Sequence, residues 1–340
     1  MAVKLKNLNE QVIVITGASS GIGLTTARMA ADRGARLVLA SRNEEALKKL
    51  TNEINSAGGQ AVYVTADVGN EGDVKKIAAE ALNKFGGFDT WVNNAGVSVY
   101  GKLEDVPIED MRQVFETNVW GVIYGSLVAA ENLKANGGAI INIGSTLSDR
   151  AIPLQGIYCA SKHAVKGFTD AFRMELQADD APISVTLVKP AAIDTPYKEH
   201  AKNYLGVEAE NPPPVYAPET VAETILHCAE NPVRDVFVGG AAKALSTLGE
   251  YAPRLTDMYM EATMLGQTSS GEPADFNPLE SLYEPNDSRL SERGDYEGHV
   301  SESSLYTKAS LHPVLTGTAL ALGAAGIAYT FYAKRNARAH

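Results

Sequence analysis

Tyr158-Cys159-Ala160-Ser161-Lys162 sets a phenol and an amine four residues apart, on one face of a helix. A free phenol, with a pKa of about 10, is a poor base at neutral pH. An adjacent ammonium stabilises the phenolate, so the spacing predicts a lowered pKa for Tyr158. Such a side chain can give a proton to a carbonyl or take one from an alcohol. Thirteen residues upstream, Ser145 closes the apolar run 139–144, where its hydroxyl can bond the same substrate oxygen. Tyr-x-x-x-Lys pairs alone are common on exposed helices, so the meaning of this one depends on its surroundings.

Near the N-terminus, the apolar run 12–15 opens into Thr16-Gly17-Ala18-Ser19-Ser20-Gly21-Ile22-Gly23 and then a helical pattern. Gly17, Gly21 and Gly23 permit a sharp turn and let the backbone approach a pyrophosphate closely. The following helix would offer free amides and its positive dipole end to phosphates. Ser19 and Ser20 can add hydroxyl donors. A lone glycine triplet is weak; one that follows the first strand of an α/β sheet is not.

The elements that must position these groups alternate along residues 11–240. Apolar runs at 12–16, 36–40, 61–65, 90–93, 139–144, 184–188 and 236–239 read as strands. Helical patterns at 24–33, 44–57, 73–85, 108–134 and 158–176 lie between them. Continuously apolar strands joined by helical crossovers predict a doubly wound, Rossmann-type parallel sheet of about seven strands, helices on both faces. The second strand ends in Ser41-Arg42 rather than an acid, a hydroxyl and a guanidinium suited to a 2′-phosphate. NADP(H) is therefore the expected cofactor, with NAD as the alternative. Asp67-Val68 after the third strand can hold adenine through the carboxylate and the next amide.

Together these motifs resemble the single-domain branch of the short-chain dehydrogenase/reductase family. The matches run in family order over residues 10–240: Thr16 to Gly23, Asp67, Asn93-Asn94-Ala95-Gly96, Asn118, Ser145, Tyr158 with Lys162, and Pro190 with Thr195. The resemblance implies catalysis by Ser145, Tyr158 and Lys162, with Asn118 steadying a relay water beside Lys162. It implies that Asn94, Ala95 and Gly96 line the adenosine-ribose side. Lys162 and Tyr158 would face the nicotinamide ribose, and Pro190, Ile193 and Thr195 the nicotinamide, Thr195 bonding its carboxamide. The helices 108–134 and 158–176 would pair across a two-fold axis, as a homodimer or homotetramer. Pro190 is followed by Ala191 instead of the family's glycine, which predicts a narrower pocket or an altered turn.

The substrate edge is expected at 97–100, 146–148, 154–156 and a lid at 195–216, mostly small or apolar residues. A small, largely apolar ketone or secondary alcohol fits that edge. The competing reading is a catalytically silent nucleotide sensor or scaffold on the same fold.

With 41 acidic against 30 basic residues, the net charge is −11, which argues against a nucleic-acid partner. The two cysteines and six histidines show no metal-ligand spacing, so no metal is expected. Residues 1–10 carry no apolar export signal, which points to the cytoplasm. Three regions result: an oxidoreductase domain at 1–240, an acidic extension at 241–310 and an apolar terminal segment at 311–340. Within the extension, 12 acidic and 5 basic side chains predict partial helix at 241–265 and irregular or disordered chain at 266–305. Residues 314–333 carry no charge and are long enough to span a bilayer. The basic residues that follow oppose that orientation, so a membrane anchor and a packed helix both stay open, an anchor suiting lipid-derived carbonyls.

Overall fold

The computed structural model describes residues 3–267, 269–273, 279–285, 289–312 and 316–318. Seven apolar runs form strands: β1 (Val12–Thr16), β2 (Arg36–Ser41), β3 (Gln60–Thr65), β4 (Thr90–Asn93), β5 (Gly138–Ile143), β6 (Ile183–Pro190) and β7 (Asp235–Val238). They pair in parallel in the order β7-β6-β5-β4-β1-β2-β3. The order reverses beside β1, which opens a crevice at the carboxyl ends of β1 and β4.

One face of the sheet is covered by α1 (Gly21–Asp32), α2 (Glu44–Ser56) and the helix Pro218–Glu230, around Ile13, Leu37, Leu47 and Ile225. The other is covered by α3 (Glu71–Phe85), α5 (Gly121–Leu133) and α6 (Gly156–Ala178), around Val14, Ile77, Trp91 and Ile140. Burial on both faces is why these strands are apolar throughout rather than alternating. Polar side chains tie the layers together. Asn93 donates to Asn142 at 2.8 Å, and Asn142 to Thr169 on α6 at 3.0 Å.

The expected helix at 108–134 is interrupted. α4 (Ile108–Phe115) passes into a π-helical turn, Glu116–Trp120, before α5. Asn118 lies in that turn, and such turns often re-aim a functional side chain.

At the carboxyl end of β5, Asp149 is ion-paired with Lys166 on α6 and, at 3.0 Å, with buried Lys189 on β6. It also accepts from Ser246 on the helix Gly240–Tyr251 at 3.1 Å. A second helix, Pro253–Gln267, follows. Both helices agree with the partial helix expected at 241–265.

Of the irregular or disordered chain expected at 266–305, residues 279–285 and 289–299 are irregular but packed. Residues 279–285 and 289–304 pack on the sheet's carboxyl edge; Leu282 is fully buried, and Val300–Ser301 pairs with Val215–Tyr216. Acidic composition misled because Glu292 and Glu302 are matched by Arg28 and Arg293 of the same chain. The segment 314–333 lies outside the described residues apart from 316–318. Among the described residues, no helix is long and apolar enough to cross a membrane.

Candidate active site and nucleotide groove

Tyr158 and Lys162 project from the first turns of α6 toward the end of β5, where Ser145 begins a short 3₁₀ turn. The Ser145 hydroxyl accepts from the Leu147 amide at 3.0 Å, which fixes its direction. Lys162 Nζ donates to the Ile143 carbonyl at 2.8 Å and stands 5.5 Å from the Tyr158 ring centroid. Asn118 is completely buried; its Oδ1 accepts from the Val97 amide (2.8 Å) and its Nδ2 donates to the Val97 carbonyl (2.9 Å) and Ser161 (3.1 Å). It thus stands one layer behind Lys162, against the helix that carries the tyrosine.

Burial pushes the Tyr158 phenol up to about 12, with the hydroxyls of Tyr197 and Ser145 pulling the other way. Lys162 by itself therefore does not bring the phenol below its ordinary pKa. Loss of solvent penalises the phenolate more than its neighbours stabilise it. The same burial brings the Lys162 ammonium down to about 8.

The glycine loop is shaped by contact. Gly17 has φ +65°, and a Cβ there would come within 2.7 Å of Ala95 Cα. A Cβ on Gly23 would lie 2.1 Å from the Gly17 carbonyl, so α1 closes directly on the loop. Asn94 Nδ2 holds the turn by donating to the Thr16 and Gly17 carbonyls at 3.0 and 3.1 Å. At the start of α1, the Ile22 and Gly23 amides make no hydrogen bond among the described residues. Those free donors at a helix N-terminus fit a pyrophosphate.

Two cavities meet here. One, about 200 Å³, runs past Ser19, Ser20, Gly21, Ser41, Arg42, Asp67, Val68 and Ala95. The other, about 660 Å³, holds Ser145, Tyr158, Lys162, Pro190 and Ile193. Ile22, Asn94, Gly96 and Thr195 border both. Gly23 and Asn118 border neither, standing just behind. Arg42 is less free than expected, because its guanidinium donates to backbone carbonyls at 281–283. Ala191 needs no left-handed backbone, so the missing glycine after Pro190 is accommodated.

From the expected substrate edge, Tyr100, Thr146, Leu147, Gln155 and residues 211–214 border the larger cavity. Val97 and Ser98 face the nucleotide side instead, while Ser148, Leu154 and Gly156 border neither cavity. Two features were missed. Tyr197 packs edge-on to Tyr158, ring centroids 5.5 Å apart. Leu245, Leu248, Leu255, Tyr259, Met260 and Met264, from the two helices after β7, add an apolar side to the larger cavity. Their helical spacing was the available signal, but an apolar stripe alone does not say what it covers.

The sequence profile of the short chain dehydrogenase family matches residues 11–204. The uncharacterized oxidoreductase YxnA of Bacillus subtilis (strain 168) is 48% identical over 322 residues, 94% of this chain and 90% of that protein. The chain belongs to the short chain dehydrogenase family. This short chain dehydrogenase is also 38% identical, over 54% of its length and 53% of the relative's, to 11-beta-hydroxysteroid dehydrogenase A of Sesamum indicum. A short chain dehydrogenase/reductase from Burkholderia phymatum, solved in complex with NAD, superposes with a TM-score of 0.65 at 26% identity, covering 81% of this chain and 100% of that one. The protein is thus a nicotinamide-dependent dehydrogenase/reductase with a Rossmann-type fold.

Proposed function

We propose that this enzyme interconverts an apolar ketone and its secondary alcohol with NADP(H), using Tyr158 as the proton donor and acceptor. The observation that carries the reading is one juxtaposition: Ser145, Tyr158 and Lys162 stand on the wall of a mainly apolar cavity of about 660 Å³ that opens into the nucleotide groove. Such a cavity takes a drug-sized or sterol-sized molecule rather than a small polar one. The named activity of the sesame relative, a hydroxysteroid dehydrogenase, supports the same substrate class.

The bound nicotinamide supplies the hydride acceptor or donor. Ser145 would hold the substrate oxygen, and Tyr158 would pass it a proton or remove one. The Lys162 ammonium would return a proton to the phenol, with Asn118 steadying the relay water that reprotonates the lysine. A phenol held neutral by burial suits the reducing direction, in which it must begin protonated. The preference for NADP(H) is supported by Ser41 and Arg42 at the end of β2. Arg42 has five N–H donors, of which the three bonds to carbonyls leave some for a 2′-phosphate. The exposed apolar residues of α4–α6 support a homodimer or homotetramer.

The test is NADPH oxidation against a panel of ketones from acetone to sterol-sized ones, repeated with NADH and with Arg42→Ala. Turnover should concentrate among the larger apolar ketones. Arg42→Ala should weaken NADPH binding about 10- to 100-fold more than it weakens NADH binding. Tight NADPH binding with no turnover across the whole panel would favour the silent sensor instead.

A further inference from the structure

Beyond the region matched to the family, the chain returns twice across the open side of the nucleotide groove. At the adenosine end, Arg42 Nη1 donates to the carbonyls of Leu282 (3.2 Å) and Tyr283 (2.8 Å), and Nη2 to that of Ser281. Leu282 anchors this crossing by full burial beside Val99, Val106 and Val114. The Tyr283 hydroxyl donates to Asp110 on α4 at 2.6 Å. Ser281 and Pro285 form part of the wall of the smaller cavity.

At the phosphate end, the Gly21 amide donates to the Ser291 carbonyl at 2.9 Å. Glu292 accepts from Thr25 at 3.0 Å and is ion-paired with Arg28, both on α1. The Gly294 amide donates to Asp194 at 3.2 Å, and a Cβ on Gly294 would stand 2.6 Å from the Thr195 carbonyl. Arg42, the start of α1 and Thr195, which all border the groove, are therefore each held by these crossings. The crossings take the Gly21 amide but leave those of Ile22 and Gly23 unbonded among the described residues. They lie over the groove without filling its anion seat.

We propose that residues 281–285 and 289–294 form a strap that retains the dinucleotide, so that cofactor release requires the strap to lift. This rests on the nucleotide groove read above. The strap acts on k_off, because its bonds to Arg42, Gly21, Thr25, Arg28 and Asp194 must part before the groove opens outward. Tyr283 and Glu292 are positioning residues: they hold the cofactor-facing groups from behind.

The experiment follows bound NADPH fluorescence in the full chain after a chase with excess NADP. Glu292→Ala, Tyr283→Phe and Gly294→Val are compared with the unaltered protein. Each should release NADPH about tenfold faster or more, with entry also faster. Thermal unfolding without cofactor identifies any variant that is merely misfolded. Glu292→Ala is the safest variant, since Arg28 keeps its pairing with Glu53. Release rates unchanged in folded variants would overturn the strap. So would tighter binding with slower release, the signature of a segment that obstructs the groove. Absence of any NADPH or NADH binding to the unaltered protein would sink the nucleotide reading, and the strap with it.

Discussion

Tyr158 and Lys162 are both starved of solvent, and the consequence is a pH profile. With Lys162 brought to about 8 and Tyr158 pushed to about 12, the lysine loses its proton first as pH rises. Carbonyl reduction consumes a proton at the substrate oxygen, so kcat/KM for reduction should fall above about pH 8. Alcohol oxidation, which needs a proton acceptor, should rise over the same interval. Steady-state rates in both directions check this, and a reduction profile flat through that region would contradict it. At this scale the proposed catalytic groups could be picked out because their chemistry depends on residue type and spacing, which a sequence displays. The sign of the Tyr158 shift was not, because desolvation depends on the walls brought around the phenol by Tyr100, Tyr197 and the late helices.

Asp149 shows how the elements hold the site together. Burial pushes its carboxyl up, but Lys166 and Lys189 outweigh that and hold it below the usual carboxylate range. Through Ser246 it also ties the helix Gly240–Tyr251 to the ends of β5 and β6. Asp149→Ala would leave the Lys189 ammonium, whose side chain is 6% exposed, without its carboxylate. We expect a loss of about 3–5 kcal/mol, read by urea unfolding at neutral pH. Because the carboxyl is depressed, its contribution is present above the ordinary carboxylate range and lost as pH falls through the folded value. The cost of the substitution should therefore shrink in acid; a cost that is small at neutral pH would refute the role. Strands were legible to within a residue or two where two-sided burial keeps runs apolar, and the start of α1 to within three. The π-turn at Glu116–Trp120 was not, since a one-residue change of helical pitch leaves the apolar pattern nearly intact.

Viewed whole, the molecule leaves Ile108, Trp120, Leu127 and Met174 exposed on α4, the π-turn, α5 and α6, with Leu127 at 51% and Met174 at 63%. The homodimer or homotetramer proposed above would cover these apolar groups at its interface. Leu127→Glu should shift the assembly toward monomers by light scattering, with the fold retained; an unchanged mass would place the interface elsewhere. The packing of residues 281–285 and 289–294 against the groove was the least legible feature. Several of its contacts are made by backbone carbonyls, two amides and a glycine packed on a carbonyl, which have no side-chain signature, and the partners of Leu282, Tyr283 and Glu292 lie far away in sequence. The most direct measurement is made on Tyr158→Phe, a change of one buried oxygen. Turnover with an accepted ketone should fall by three orders of magnitude or more, about 4 kcal/mol in the barrier, while NADPH affinity stays within a few-fold. Turnover close to that of the unaltered enzyme would contradict the assignment of the proton to this phenol.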